Sequence, residues 1–313
     1  MTILQRLLTH GAAWFLGAVL VSAPLLAQEK SIRPGINKPF ENPDLKDFLK
    51  KFEGESREIA VNAKEIVVAC KIKPGTMVAD VGAGTGLFTR KFASEVGENG
   101  KVYAVDIAPN FLRHIEKTCE DAKIKNVETV LCDQFSTKLP KNSVDLVFIC
   151  DTYHHFEFPT RTLQSIHDAL RPGGRVVLID FHRIEGKSSA FVMGHVRAGQ
   201  EVFVREIKSA GFKVVGEAKF LKENYFVRFE KMVKEKPKRT LNDFQKKLDK
   251  AMTPAKAVAA FGEPDRQLGS ELIIYEYDLD DGAKVRLDFP GFDKILYAKH
   301  IKNGGKTEDI PVK

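Results

Sequence analysis

Between about residues 44 and 232 the hydrophobic positions switch between a helical period and a strand period, and this alternation predicts the architecture. Arg57 to Cys70 places Ile59, Ile66, Val67 and Cys70 on one side of a helix, which Pro74-Gly75 then ends. Met77-Val-Ala-Asp-Val81 follows as a short buried strand, and Leu87 to Ala93 resumes helical spacing. Further strands are predicted at Lys101–Asp106, Asn126–Leu131, Ser143–Cys150, Arg175–Phe181, Lys213–Glu217 and Tyr225–Phe229. Strands separated by helical segments are the pattern of βαβ units, so the fold class is α/β, with a Rossmann-like, doubly wound, seven-stranded sheet. Ligands of such sheets bind at the carboxyl ends of the strands, where the strand order reverses.

The chain outside that region reads differently. From Leu7 to Gln28 no side chain is charged, Trp14 to Leu20 is almost wholly apolar, and Ser22-Ala-Pro-Leu-Leu-Ala27 offers small residues for cleavage. Residues 1–27 therefore read as a secretory signal peptide or a membrane anchor, and 28–43, with Pro34, Gly35, Pro39 and Pro43, as an extended lead-in. The first reading predicts an exported protein of the periplasm or cell envelope. The alternative is an anchored protein facing the cytoplasm, because Lys30, Arg33, Lys38 and Lys46 follow the apolar run while Arg6 alone precedes it.

Lys231 to Arg239 concentrates basic residues around a proline, which suits a solvated linker at 233–240. A small α+β domain is expected at 241–313. Thr253-Pro254 starts a helix that Gly262 ends; Ile273 to Leu279, Val285 to Phe289 and Ile295 to Ile301 then form a three-stranded antiparallel meander turning at Asp280-Asp-Gly282.

Composition narrows the function. Forty-nine basic against 42 acidic residues leave a formal charge of +7 with no concentrated basic face, which argues against a nucleic-acid binder. Cys70, Cys119, Cys132 and Cys150 lie far apart and form no C-x-x-C, so neither a disulfide scaffold nor structural zinc is indicated. No metal site is read: His182 and His195 have no second ligand at a diagnostic spacing.

The informative segment is Asp80-Val-Gly-Ala-Gly-Thr-Gly86, a glycine-rich turn between a strand and a helix. Such a turn lets a backbone approach a ligand and points unpaired helix N–H groups at it. Leu87 stands where a dinucleotide fingerprint needs its third glycine, which weakens an NAD reading. Asp106 ends the next strand, where a carboxylate can accept hydrogen bonds from ribose hydroxyls. His154 and His155, just after the fourth strand, are candidate proton acceptors because imidazole titrates near neutral pH. Tyr153 is a candidate substrate contact, and Arg57 either reaches a ligand carboxylate or is an ordinary helix-surface arginine.

Asp80-Val-Gly-Ala-Gly-Thr-Gly86, Val105-Asp106, Cys132-Asp133 and Leu170-Arg-Pro-Gly-Gly174 together resemble the motif series of class I S-adenosylmethionine-dependent methyltransferases, in particular small-molecule methyltransferases of the ubiquinone and menaquinone type. The resemblance covers roughly residues 50 to 230. It implies S-adenosylmethionine as cofactor, a cofactor site that includes Asp80, and a small-molecule methyl acceptor. Gly82, Gly84 and Gly86 would pass under the methionine and ribose, Asp106 would hold the ribose, Ile107 would lie on adenine, Asp133 would meet its amino group and Asp151 would sit near the methionine. The tail resembles small domains of bacterial outer-membrane assembly lipoproteins and β-lactamase-inhibitor-like modules, which implies an envelope partner for residues 241–313. A protein exported away from its cofactor could instead be a binding protein that keeps the fold without turnover.

Overall fold

The computed structural model describes residues 30–41, 43–53, 57–233, 237–269 and 272–313. The segment read as signal peptide or anchor lies outside them. The chain divides into two compact units after Val233.

In the first unit the strands are β1 (Met77–Val81), β2 (Lys101–Asp106), β3 (Val127–Leu131), β4 (Val144–Cys150), β5 (Leu170–Phe181), β6 (Phe212–Ala218) and β7 (Asn224–Lys231). They form one seven-stranded sheet in the order β3-β2-β1-β4-β5-β7-β6. Neighbours from β3 to β5 run parallel, whereas β7 runs antiparallel to both β5 and β6. The order reverses beside β1, so the loops after β1 and β4 diverge and open a crevice.

Strand period two explains how the sheet is covered. Along β4, Val147 and Ile149 join one buried cluster, which includes Leu163 and Ile166, while Leu146 and Phe148 join another on the opposite face. The helices are α1 (Leu45–Glu53), α2 (Glu58–Val61), α3 (Ala63–Ala69), α4 (Leu87–Val96), α5 (Pro109–Asp121), α6 (Pro159–Ala169), α7 (Ala190–His195) and α8 (Gln200–Ser209). Phe88 and Phe92 of α4 both contact Phe148, with ring centroids 4.7 and 4.9 Å away. A helix was expected throughout 57–70. It is broken at Asn62 (φ −94°, ψ 17°), and Arg57 lies before it in extended conformation.

The lead-in is not extended. Residues 30–41 turn repeatedly, with Gly35 at φ +79° and a 3-10 turn at Lys38–Phe40. They are tied down at several points: the Ile32 amide donates to the Glu157 carbonyl (3.0 Å), Ser31 Oγ to the Glu157 carboxylate (2.6 Å), and Asn37 Nδ2 to the His155 carbonyl (3.1 Å). Among the described residues no helix is long and apolar enough to cross a membrane.

The second unit holds α9 (Leu241–Lys247), α10 (Pro254–Phe261) and five antiparallel strands rather than three. A capping box between Thr240 and Asp243 opens α9, and Thr253 caps α10. β9 (Ile273–Asp278), β10 (Lys284–Phe289) and β11 (Tyr297–Ile301) are the expected meander. β8 (Arg266–Leu268) and β12 (Thr307–Ile310) extend it at its two edges.

Candidate active site

β1 leads directly into the glycine turn. The amides of Gly82 and Ala83 both donate to the Val105 carbonyl, at 2.8 and 3.1 Å, which fixes the turn against the end of β2. Gly82, Gly84 and Gly86 all have positive φ (75°, 54° and 81°), the region an L side chain rarely enters. The reasons for glycine differ. A Cβ on Gly82 would lie 2.2 Å from Thr152, whereas one on Gly84 would meet the ring of Phe52 at 3.1 Å. A Cβ on Gly86 would strike Ile115 of α5 at 2.7 Å.

One cavity of about 630 Å³ occupies the crevice. Every residue read from sequence as catalytic or cofactor-binding lines it except Gly86, whose constraint is helix packing. Asp106 is almost wholly buried, and its two carboxylate oxygens are held by different amides: Gly84 N on Oδ2 and Ala108 N on Oδ1, both at 2.8 Å. A carboxylate offers about four acceptor positions, so each oxygen keeps capacity for a ligand hydroxyl. Burial pushes this carboxyl up to about 6, against the pull of the Ala108, Gly84 and Ile107 amides. Ile107, half in solvent, and Asp133 line the cavity beyond it. Asp133 accepts from the Phe135 and Ser136 amides and pairs with Lys138 at 2.7 Å. Asp80 is turned to Thr89 Oγ1 (2.7 Å), and burial pushes it up to about 7 against that hydrogen bond.

At the end of β4, Asp151 (φ +47°) accepts Nδ2 of Asn224 at 2.6 Å and pairs with Arg57 at 2.5 Å. Arg57 is therefore a half-buried clamp on this loop and not a surface residue. The next residues form a 3-10 turn, Tyr153–His155, in which successive side chains diverge. Tyr153 does not reach the cavity. It is fully buried against Phe156 and Phe203, and its hydroxyl donates to Glu206 at 2.8 Å. His154 and His155 do face the cavity. Nδ1 of His154 bonds Asp180 of β5 at 2.8 Å, and Nε2 of His155 lies 3.3 Å from Nε2 of His195. Burial, then His154, His195 and Arg33, lower His155 to about 2, which keeps it neutral. The two other histidines considered separate: His182 lies edge-on to Tyr225, while His195 joins the cavity. Cys132 and Cys150 also line it, but burial pushes both thiols up, Cys132 to about 12. They are not ready thiolates.

Sequence reading missed the roof. Phe48 and Phe52 of α1 contact Phe111, and Phe40 contacts Phe48 and the ring of His155. The one signal was the aromatic spacing Phe48/Phe52 in a segment with no other motif.

The sheet order and the glycine turn at its switch point define the fold of class I methyltransferases. Comparison with known proteins agrees: an S-adenosylmethionine-dependent methyltransferase from Aquifex aeolicus superposes with a TM-score of 0.54, covering 60% of this chain and 98% of that one at 24% identity, a likeness of fold. Residues 78–174 match the family described as a methyltransferase domain. The ubiquinone/menaquinone biosynthesis C-methyltransferase of Escherichia fergusonii is 33% identical over 132 residues (41% of this chain, 53% of the relative). That of Hydrogenovibrio crunogenus is 30% identical over 114 residues (36% and 45%). The chain thus spans about half the length of the curated relatives it matches.

The cofactor that accompanies this fold and family is S-adenosylmethionine. The residues present fit it. Asp106 has free acceptor capacity beside a backbone that only glycine allows, and Thr85 Oγ1 in the same turn is buried without a partner among the described residues.

Proposed function

We propose that this protein is an S-adenosylmethionine-dependent methyltransferase acting on a small molecule with an apolar body. The observation that carries the reading is the Gly84–Asp106 arrangement: an anionic acceptor fixed by two amides, at the switch point of the sheet, beside a turn that exposes backbone. The cofactor supplies a methyl group already activated on a sulfonium. The protein's part is chiefly positioning, which can contribute roughly 7–11 kcal/mol when the reacting atoms are held in line.

The residues divide the work. Asp106 accepts the ribose hydroxyls, Gly82 and Gly84 admit the ligand's backbone-facing side, Ile107 lies under the adenine, and Asp133 meets its amino group. Asp80 and Asp151 line the cavity beside the glycine turn, and Asp151 would sit near the methionine. The acceptor end is walled by Phe40, Phe156, Phe181 and Phe191 together with His154, His155 and His195, a surface for an apolar body with one ionisable group. His154 is the base on this reading: Asp180 fixes its Nδ1 as donor, which leaves Nε2 to take a proton from the acceptor. No observation favours the non-catalytic alternative. Carbon methylation in quinone biosynthesis is what the relatives' names state, and a molecule of that apolar kind suits these walls.

Export of the chain after removal of residues 1–27, and an envelope partner for residues 241–313, belong to the same proposal. They rest on the sequence pattern alone.

Calorimetric titration of the full-length chain with S-adenosylmethionine and with S-adenosylhomocysteine tests the central reading. One-to-one binding of both is the expected result. No binding of either would overturn it.

A further inference from the structure

We propose that His154, His155 and His195 form a binding site for one divalent transition-metal ion of the zinc class, with a coordination position left open to the cavity. The inference goes beyond methyl transfer, and an ion held there would occupy the Nε2 lone pair of His154 read above as a base, so that role belongs to the metal-free protein. The ligands come from two elements, the 3-10 turn after β4 and the last residue of α7, so no sequence spacing announces them.

Geometry is the first support. One ligand nitrogen from each ring lies within 4.8 Å of the others. The Nε2 atoms of His155 and His195 are 3.3 Å apart. Two nitrogens bound at about 2.0–2.1 Å to a tetrahedral ion are about 3.3 Å apart, so this edge of the polyhedron is already formed. Closing the third position from within 4.8 Å needs a shift of up to about 1.5 Å, within the reach of a partly exposed side chain at the end of a short helix.

The supporting shell is the second. His154 gives its Nδ1 proton to Asp180 at 2.8 Å, and its backbone amide donates to the other carboxylate oxygen at 3.2 Å. The carboxylate is in turn fixed by the amide of Phe181 at 2.8 Å, and both side chains are almost fully buried. A carboxylate behind an imidazole orients the ring and makes its outer nitrogen a better ligand. With Nδ1 of His154 spent on Asp180, Nε2 is the nitrogen left to ligate.

Proton counting is the third. A single N–H···N contact pairs the Nε2 atoms of His155 and His195 and supplies no donor to the outer nitrogen of His154. A cation uses imidazole lone pairs where hydrogen-bond donors are lacking. Arg33, whose guanidinium bonds the Gly194 carbonyl at 2.7 Å, adds positive charge nearby, and Asp180 offsets it.

The test uses the untagged full-length chain, treated with chelator, dialysed, and titrated with Zn(II) and separately with Co(II). One equivalent of Zn(II) should bind, and Co(II) should give the intense visible absorption of a tetrahedral site. His195→Ala and His155→Ala should each weaken Zn(II) binding at least tenfold, and Asp180→Asn by about 10–100-fold. His182→Ala, outside the cluster, should bind as the parent does. Absence of stoichiometric binding, an octahedral cobalt spectrum, or undiminished affinity in folded His195→Ala would overturn the site. Should His195→Ala fail to fold by circular dichroism, the parent's cobalt spectrum decides.

Discussion

Arg57 reaches across 94 positions of sequence to hold the carboxylate of Asp151 at 2.5 Å, and so joins the start of α2 to the end of β4. Burial raises the Asp151 carboxyl while Arg57 opposes it. Arg57→Met should therefore raise Asp151 further and cost on the order of 1–3 kcal/mol, less than a fully buried pair because the arginine is part-exposed. A carboxyl whose folded value lies above its unfolded value favours the folded state at low pH and loses that contribution as pH rises through the folded value. The deficit of the variant should thus be smaller at pH 5 than at pH 8, measured as urea midpoints. Equal deficits at both would show that the charge of Asp151 is not the source.

Asp106→Ala removes an anionic acceptor and should weaken S-adenosylmethionine binding by about 1.5–3 kcal/mol, roughly 10- to 150-fold. With the carboxyl near 6 in the free protein, binding should also fall as pH drops below about 6, because the protonated group loses acceptor capacity. Titrations from pH 5 to 8 check both. A flat profile with an unchanged dissociation constant in the variant would remove Asp106 from the site.

Gly82 and Gly84 should fail in different ways. Gly82→Ala drives a Cβ to 2.2 Å from Thr152 at φ +75°, so loss of soluble, folded protein is expected. Gly84→Val meets only the edge of the Phe52 ring at 3.1 Å, which can yield, with about 1–2 kcal/mol of backbone strain. It should fold and lose cofactor binding. Circular dichroism with calorimetry separates the two, and a folded Gly82→Ala that binds normally would contradict the geometry.

Cleavage after Ala27 predicts a mature chain that begins at Gln28 and is recovered outside the cytoplasm. N-terminal sequencing of protein from fractionated cells is the measurement. Intact Met1 in the membrane fraction would establish an anchor instead.

The sheet and the cofactor end were legible in the sequence because their signals are local. β1, β4 and β5 carry the apolar runs Met77–Ala79, Leu146–Cys150 and Val176–Ile179, and the glycine turn and Asp106 lie at adjoining strand ends. The acceptor end was not legible. His195 meets His155 across 40 positions, and nothing in either neighbourhood encodes that approach. Tyr153 and His154 are adjacent, and only the phase of a 3-10 turn decides which enters the cavity. The edge strands β8 and β12 were missed because their exposed side chains lack the alternation that marked β9 and β10.

The roof touches both ends of the cavity. Phe52 lies over the backbone of Gly84, at the end proposed for the cofactor, and Phe40 lies against His155, at the end proposed for the acceptor. Either ligand would therefore bury part of the same aromatic surface, which Phe40, Phe48 and Phe52 form together. Positive cooperativity between cofactor and acceptor is the expected result, each strengthening the other by the same factor.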